Sequence, residues 1–331
     1  MPVDIDVYTK NGVQRQRYWI NKDTNVFHIP NADNNTYVQF DAENQLLCQM
    51  DEIKSIKHWK MQLYDGVLAA HRQTAFKYLL SLETDKDNNK KYFEQMFEDK
   101  FWYNRYVAID YMHTGNIYQE DINSFAKKAK DLIETEPSSE VRVGFAYLFE
   151  EAEDESSLKT LINDSSYNVV AKSLKSLGRL NKEAAFLFAS RNRNSNHKRM
   201  QSIAYTNIAL YSPNDELKFF VNKIRIENNS TVEEAAGALA SYLFMNRPEK
   251  SDEAVQMVDN LASKSKESKE AKNGLTAIKT MHSYYYYQAF YMQLYLGYQN
   301  DKSLTKFYQP KIEYCKKMYK KLDTMIDLYD N

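Results

Sequence analysis

Val3, Ile5 and Val7 alternate with Asp4 and Asp6 at the start of the chain, the period of a half-buried strand. Lys10-Asn11-Gly12 follows, and Asn-Gly is the strongest short hairpin signal because both residues tolerate positive φ. Val13 to Ile20 forms the return strand. Val26-Phe27-His28-Ile29 reads as a third strand, stopped by Pro30, which has no amide donor. Asn31 to Asn35 is a polar loop. Tyr37-Val38-Gln39-Phe40 is a fourth strand, turned by Asp41-Ala42-Glu43-Asn44 into a fifth from Gln45 to Met50. Five strands make only a thin sandwich. Residues 1–54 are therefore expected to form a small, incomplete antiparallel β-sandwich, with strands missing upstream. A chain that opens inside a strand also fits a piece of a longer protein.

From Ile56 onward the apolar period changes from two to about 3.6. Short polar breaks separate the helical segments: Asp85 to Asn89, Glu136-Pro137-Ser138, Asn163-Asp164-Ser165, Arg191 to Asn196, Ser212-Pro213-Asn214 and Glu227 to Ser230. Ser138-Ser139-Glu140, Ser212-Pro213-Asn214-Asp215 and Ser230-Thr231-Val232-Glu233 place side-chain oxygens where helix starts need acceptors. Six segments share a polar residue followed three positions later by a small or apolar one. They are Arg72/Ala75, Arg105/Ala108, Arg142/Phe145, Asn168/Ala171, Arg199/Ser202 and Glu233/Ala236. Their spacing fits two short helices plus turns per unit. The pattern resembles an irregular helical-hairpin repeat of the HEAT and armadillo kind. A non-repetitive helical domain with similar helix lengths is the alternative. Ala75 is expected at a close helix–helix approach. Arg72, with five donors, is placed to hold the β-to-helix junction through carbonyls or a carboxylate.

Composition sharpens this picture. The 331 residues include only 8 Gly and 6 Pro, where average usage would give about 23 and about 17. Scarce turn formers argue against a mostly-β or doubly wound α/β protein. The fold class is mostly α: a HEAT/armadillo-like α-α superhelix over 55–331, preceded by the β region over 1–54. The length exceeds the range in which one compact core keeps growing. Forty-four basic residues against 45 acidic ones give a net charge of −1, a poor start for binding nucleic acid. Cys48 and Cys315 form neither a disulfide framework nor a Cys-rich metal site. The first residues lack the basic start and apolar run of a signal peptide, and the compartment is not legible.

No chemistry-bearing motif is present. The histidines are His28, His58, His71, His113, His197 and His282, and no two lie four apart, so a helical two-histidine zinc face is missing. Nucleophile-elbow, Walker and dinucleotide glycine patterns are also missing. No catalytic, cofactor-binding or metal-ligating residue is assigned. The acidic run Phe149 to Glu155 reads as a solvated helix end, with a cation patch as the alternative. Arg191, Arg193, Lys198 and Arg199 read as a polar connection, with an acidic partner as the alternative. Residues 280–300 carry no charge and have the length of a membrane span. Their seven tyrosines, three glutamines, His282 and Asn300 put too many polar groups into hydrocarbon. A long packing helix is expected there, some of its tyrosines lining a polar cavity or groove.

One stretch resembles a known family. Tyr37 to Leu47 is followed by Lys57-His58-Trp59, by Gln62-Leu63, and by Ala69-Ala70-His71-Arg72-Gln73-Thr74-Ala75-Phe76-Lys77-Tyr78-Leu79. This is similar to the junction between the β-sandwich and the C-terminal helical domain in zinc aminopeptidases of the aminopeptidase N type. There a hydrophobic-Asp-Pro-x-x strand end leads to paired leucines, then to a Gln-Leu helix and an Arg-x-x-Ala helix. Ala42 stands where the family usually has proline. The resemblance covers residues 37–79. It implies a parent enzyme that releases N-terminal residues from peptides, with zinc and a glutamate base in a separate catalytic domain. The family's zinc motif and its Gly-x-Met-Glu-Asn substrate motif do not occur here, so no site residue is carried over and this chain holds no cofactor. Its implied partners are the parent's catalytic domain and, indirectly, the peptide, over which the helical domain closes. The alternative is a stand-alone helical-repeat scaffold that binds proteins.

Overall fold

The computed structural model describes residues 1–29, 36–48, 50–114, 119–299 and 301–330. Three strands, β1 (Pro2–Thr9), β2 (Gly12–Trp19) and β3 (Tyr37–Gln39), form one antiparallel sheet in the order β2-β1-β3. Val3, Ile5 and Val7 are buried along the central strand, as their alternation requires. Opposite them the register sets Asp4 against Arg17 and Asp6 against Arg15. Each arginine grips its aspartate with two nitrogens, at 2.7–2.8 Å for Asp4 and 2.8–3.0 Å for Asp6. The hairpin loop is Lys10-Asn11, and the positive φ, 111°, falls on Gly12, which already pairs with Thr9.

Two of the five expected strands do not form among the described residues. Residues 26–29 follow a loop closed by Asn25, whose side-chain amide donates to the Lys22 carbonyl at 2.7 Å. Phe27 packs on Tyr18 instead of entering a ladder. After β3 the turn at Asp41 to Asn44 is present, with φ of 49° and 56° at its ends. The Asp41 carboxylate then accepts the amides of Gln45 and Leu46 at 2.9 and 2.8 Å. Those amides have no capacity left for a fifth strand. Pro30, the loop Asn31 to Asn35 and residue 49 lie outside the described residues.

Fifteen α-helices are described. They are α1 (Ile56–Asp65), α2 (Ala69–Leu82), α3 (Lys86–Phe97), α4 (Trp102–His113), α5 (Gln119–Leu132), α6 (Ser139–Glu151), α7 (Glu155–Leu161), α8 (Tyr167–Leu180), α9 (Lys182–Asn192), α10 (Lys198–Tyr211), α11 (Leu217–Ile226), α12 (Asn229–Asn246), α13 (Ser251–Ala262), α14 (Lys269–Tyr298) and α15 (Lys302–Asp330). The change of period at Ile56 is the first residue of α1, with Ser55 accepting the amide of His58. Ser138 caps α6 by accepting from Val141. Asp85 caps α3 by accepting from Asn88, so that break is three residues long and residues 86–89 are already helical. The start of α12 falls at Asn229 behind Asn228, and Glu233 lies well inside the helix.

By contacts the chain divides into two compact units, Met1–Ala152 and Glu153–Asn331. The first holds the sheet and α1–α6. Its core is aromatic: Phe76, Phe93, Phe97, Phe125, Phe145 and Phe149 are almost fully buried. Phe76 meets Phe93 edge to face at 5.2 Å, a favoured ring geometry. The second unit is built on α12 and α14, around which α10, α11, α13 and α15 pack. The six sequence pairs fall one to a helix on α2, α4, α6, α8, α10 and α12. Of their second members, Ala75, Ala108, Phe145 and Ala236 are fully buried. Ala171 and Ser202 are half-buried.

Candidate functional site

The densest polar arrangement is a repeated arginine ladder. Arg72, Arg105 and Arg142 each donate to the carbonyl oxygen six residues upstream, that of Gly66, Asp99 and Glu136, in every case at 2.8 Å. Arg72 also donates through Nε and Nη2 to the Asp99 carboxylate at 2.6 and 2.7 Å. Arg105 treats Glu136 alike, at 2.8 and 2.7 Å. Each carboxylate further accepts the amide two residues on, from Phe101 and from Ser138. Asp164 and Ser195 take the same amide two residues on, from Ser166 and His197. All four acceptors stand three residues before an even-numbered helix. A charge held by both a guanidinium fork and a backbone amide is well satisfied.

Arg72 ties this ladder to the sheet. Its Nη1 reaches the carbonyls of Gly66 and Val67, and the Val67 amide donates to the hydroxyl of Tyr8 on β1. Tyr8 stacks on Tyr37 of β3 at 4.2 Å. Gln62 donates to the His71 carbonyl at 2.8 Å. Burial pushes the Asp99 carboxyl up, but Arg72, the Phe101 amide and Asn104 outweigh it and hold it below the usual range.

Histidine chemistry does not converge. His71 is buried, and neither ring nitrogen has a hydrogen-bond partner among the described residues. Burial and the nearby Lys54 lower its pKa. His113 packs on Tyr147, His197 on Tyr167, and His282 lies 3.6 Å from Asp323. Among the described residues no three His, Cys, Asp or Glu side chains are grouped to hold a metal ion. The acidic run serves helix ends: Asp154 caps α7, and Glu155 pairs with Lys159 and Asn181. In the basic stretch Arg193 binds Glu216 and lies over the Phe219 ring at 3.6 Å, while Arg199 donates to Asn168.

The tyrosine-rich segment divides into two halves. Tyr285 is buried and donates to the Ala240 carbonyl. Tyr287, Tyr291, Tyr295 and Tyr298 of the same helix are exposed. Among the described residues no helix is long and apolar enough to cross a membrane.

Comparison of the chain with protein-family models and with curated proteins gives no match. Among solved structures it is similar to the crystal structure of an engineered protein, at 16% identity and a TM-score of 0.24, over 74% of this chain and 96% of that one.

Proposed function

We propose that the chain is the sheet-and-cap region of a zinc aminopeptidase of the aminopeptidase N type, closing over a catalytic domain that lies outside residues 1–331. One observation carries this reading. The residues of the resemblance, 37–79, are those that build the β-to-helix junction: Tyr37 in the stack with Tyr8, Asp41 in the turn, Gln62 on the His71 carbonyl, Arg72 in the ladder. Exposed apolar side chains around the sheet, Val13, Trp19, Val26, Leu47 and Ile53, suit a region that another body covers. Zinc belongs to the parent's catalytic domain in this reading. In this reading the helices of the cap limit which peptides reach the metal.

The test uses the complete reading frame that contains this chain. A His-Glu-x-x-His segment upstream, turnover of fluorogenic amino-acid amides, and altered peptide-length selectivity after removal of residues 55–331 are expected. A reading frame without a peptidase motif overturns the proposal. The second reading, a helical-repeat interaction scaffold, is favoured by the exposed aromatic face of α14.

A further inference from the structure

The inner stripe of α14, Ile278, Met281, Tyr285, Ala289 and Met292, is buried. A second stripe, Tyr287, Tyr291, Leu294 and Tyr298, is exposed at 54%, 60%, 44% and 79%. The two stripes lie roughly 200° apart around the helix. The outer one steps by four, three and four residues, the spacing of a coiled-coil seam. It runs for about 16 Å.

Beyond Met292 no residue of α14 is buried, and none of α15 is buried before Ile312, among the described residues. The two helices are antiparallel, since Tyr285 meets Tyr314 and Tyr295 meets Tyr308. Their paired ends therefore project from the second unit as a helical hairpin faced with aromatic rings.

We propose that this hairpin is a homodimer interface, in which the outer seam of α14 packs against the same seam of a second copy of this chain. Charge argues for a second copy. Coiled coils choose unlike partners through charges flanking the seam. Here the flanking positions are Gln288, Phe290, Tyr295 and Gly297, none of them charged. A seam without charges sets no like charges against each other when a two-fold axis brings the same patch onto itself. Area agrees. The seam with Phe290 and Tyr295 exposes on the order of 700 Å² per copy, which is the ceiling on what pairing buries and is comparable with the ~800 Å² per partner of a specific interface.

The helices meet antiparallel. The first half of α14 is packed among α11, α12 and α13, so a parallel pairing would drive the two bodies into each other. An antiparallel one sets Tyr291 against Leu294 of the second copy and keeps the bodies at opposite ends.

Sedimentation of the 331-residue chain at up to about 100 μM tests this. Twice the monomer mass is expected. Tyr291→Lys combined with Leu294→Lys should give a monomer with unchanged circular dichroism, since both side chains are exposed in the single chain. In a Cys48→Ser background, a chain with Tyr291→Cys should cross-link preferentially to a chain with Leu294→Cys rather than to itself. A monomer at every concentration, a dimer that survives the double lysine variant, or a monomer that pellets with phosphatidylcholine vesicles overturns the proposal. The last result would assign the face to a membrane surface. The test is independent of the peptidase reading, because it needs no upstream sequence.

Discussion

Arg72 and Asp99, 27 residues apart in sequence, meet as a two-pronged ion pair whose side chains are 5% and 1% exposed. Removing one partner strands a buried charge, which costs about 3–5 kcal/mol. Arg72→Ala is expected to lower the unfolding free energy by that amount in urea titrations. Arg72→Lys should recover little, because an ammonium cannot span both carboxylate oxygens and the carbonyls of Gly66 and Val67. A variant as stable as the parent chain would show that the pair adds nothing.

Acid sensitivity follows from the same pair. The Asp99 pKa is lower in the fold than its ordinary 3.8. The folded state therefore binds fewer protons than the unfolded one, and the stabilisation is present above pH 3.8 and lost as pH falls through the folded value. The double variant Arg72→Met with Asp99→Leu should show a shallower loss of stability below pH 3.8 than the parent chain.

His71 predicts a second window at higher pH. Its pKa is lowered from 6.5 by burial and Lys54, against the opposing pull of Asp41 and Asp6, with Arg72 adding a smaller push downward. The folded state disfavours the imidazolium, so stability falls as pH drops below 6.5. His71→Leu removes two unpartnered buried nitrogens and should raise stability at pH 5.5 by about 1 kcal/mol. Melting curves at pH 5.5 and 7.5 should then lie closer together than those of the parent chain.

Two helical glycines give opposite expectations. A Cβ on Gly274 would meet the backbone of Ala262 and Leu261, which cannot step aside, so Gly274→Ala should cost about 2–3 kcal/mol. At Gly237 nothing lies within 4 Å. There Gly237→Ala should stabilise by about 0.5–1 kcal/mol through helix propensity. Thermal melts of the two variants should move in opposite directions.

Helices were legible where one stripe is apolar and a cap precedes it, as at Ser138. Strands were less so, because a strand needs a partner and not only a pattern. Residues 26–29 have the residue types but enter no ladder, and the amides after Asp41 are taken by its side chain. Arg72 could be read as a junction residue from its donors. Its acceptor Asp99 could not, since it lies on the next hairpin. The signal that could have found it is the shared six-residue step of Asp99/Arg105 and Glu136/Arg142. The uncharged stretch 280–300 reads as a packing helix with some tyrosines toward a polar cavity or groove, because it holds too many polar groups for hydrocarbon. Nothing in a local window separates a face that meets its own chain from one left exposed.

The six-residue step sets a rule for rearranging the gene. A block from Asp99 to Thr135 carries one carboxylate to receive the arginine before it and one arginine to reach the carboxylate after it. Such a block could be duplicated or excised whole, leaving a like-for-like joint at each seam. A cut between Asp99 and Arg105 would split the carbonyl clasp within the block and leave both fragments with half a fastening. Length variation in this array should therefore accumulate in whole hairpins, with crossover points falling just ahead of Gly66, Asp99 and Glu136.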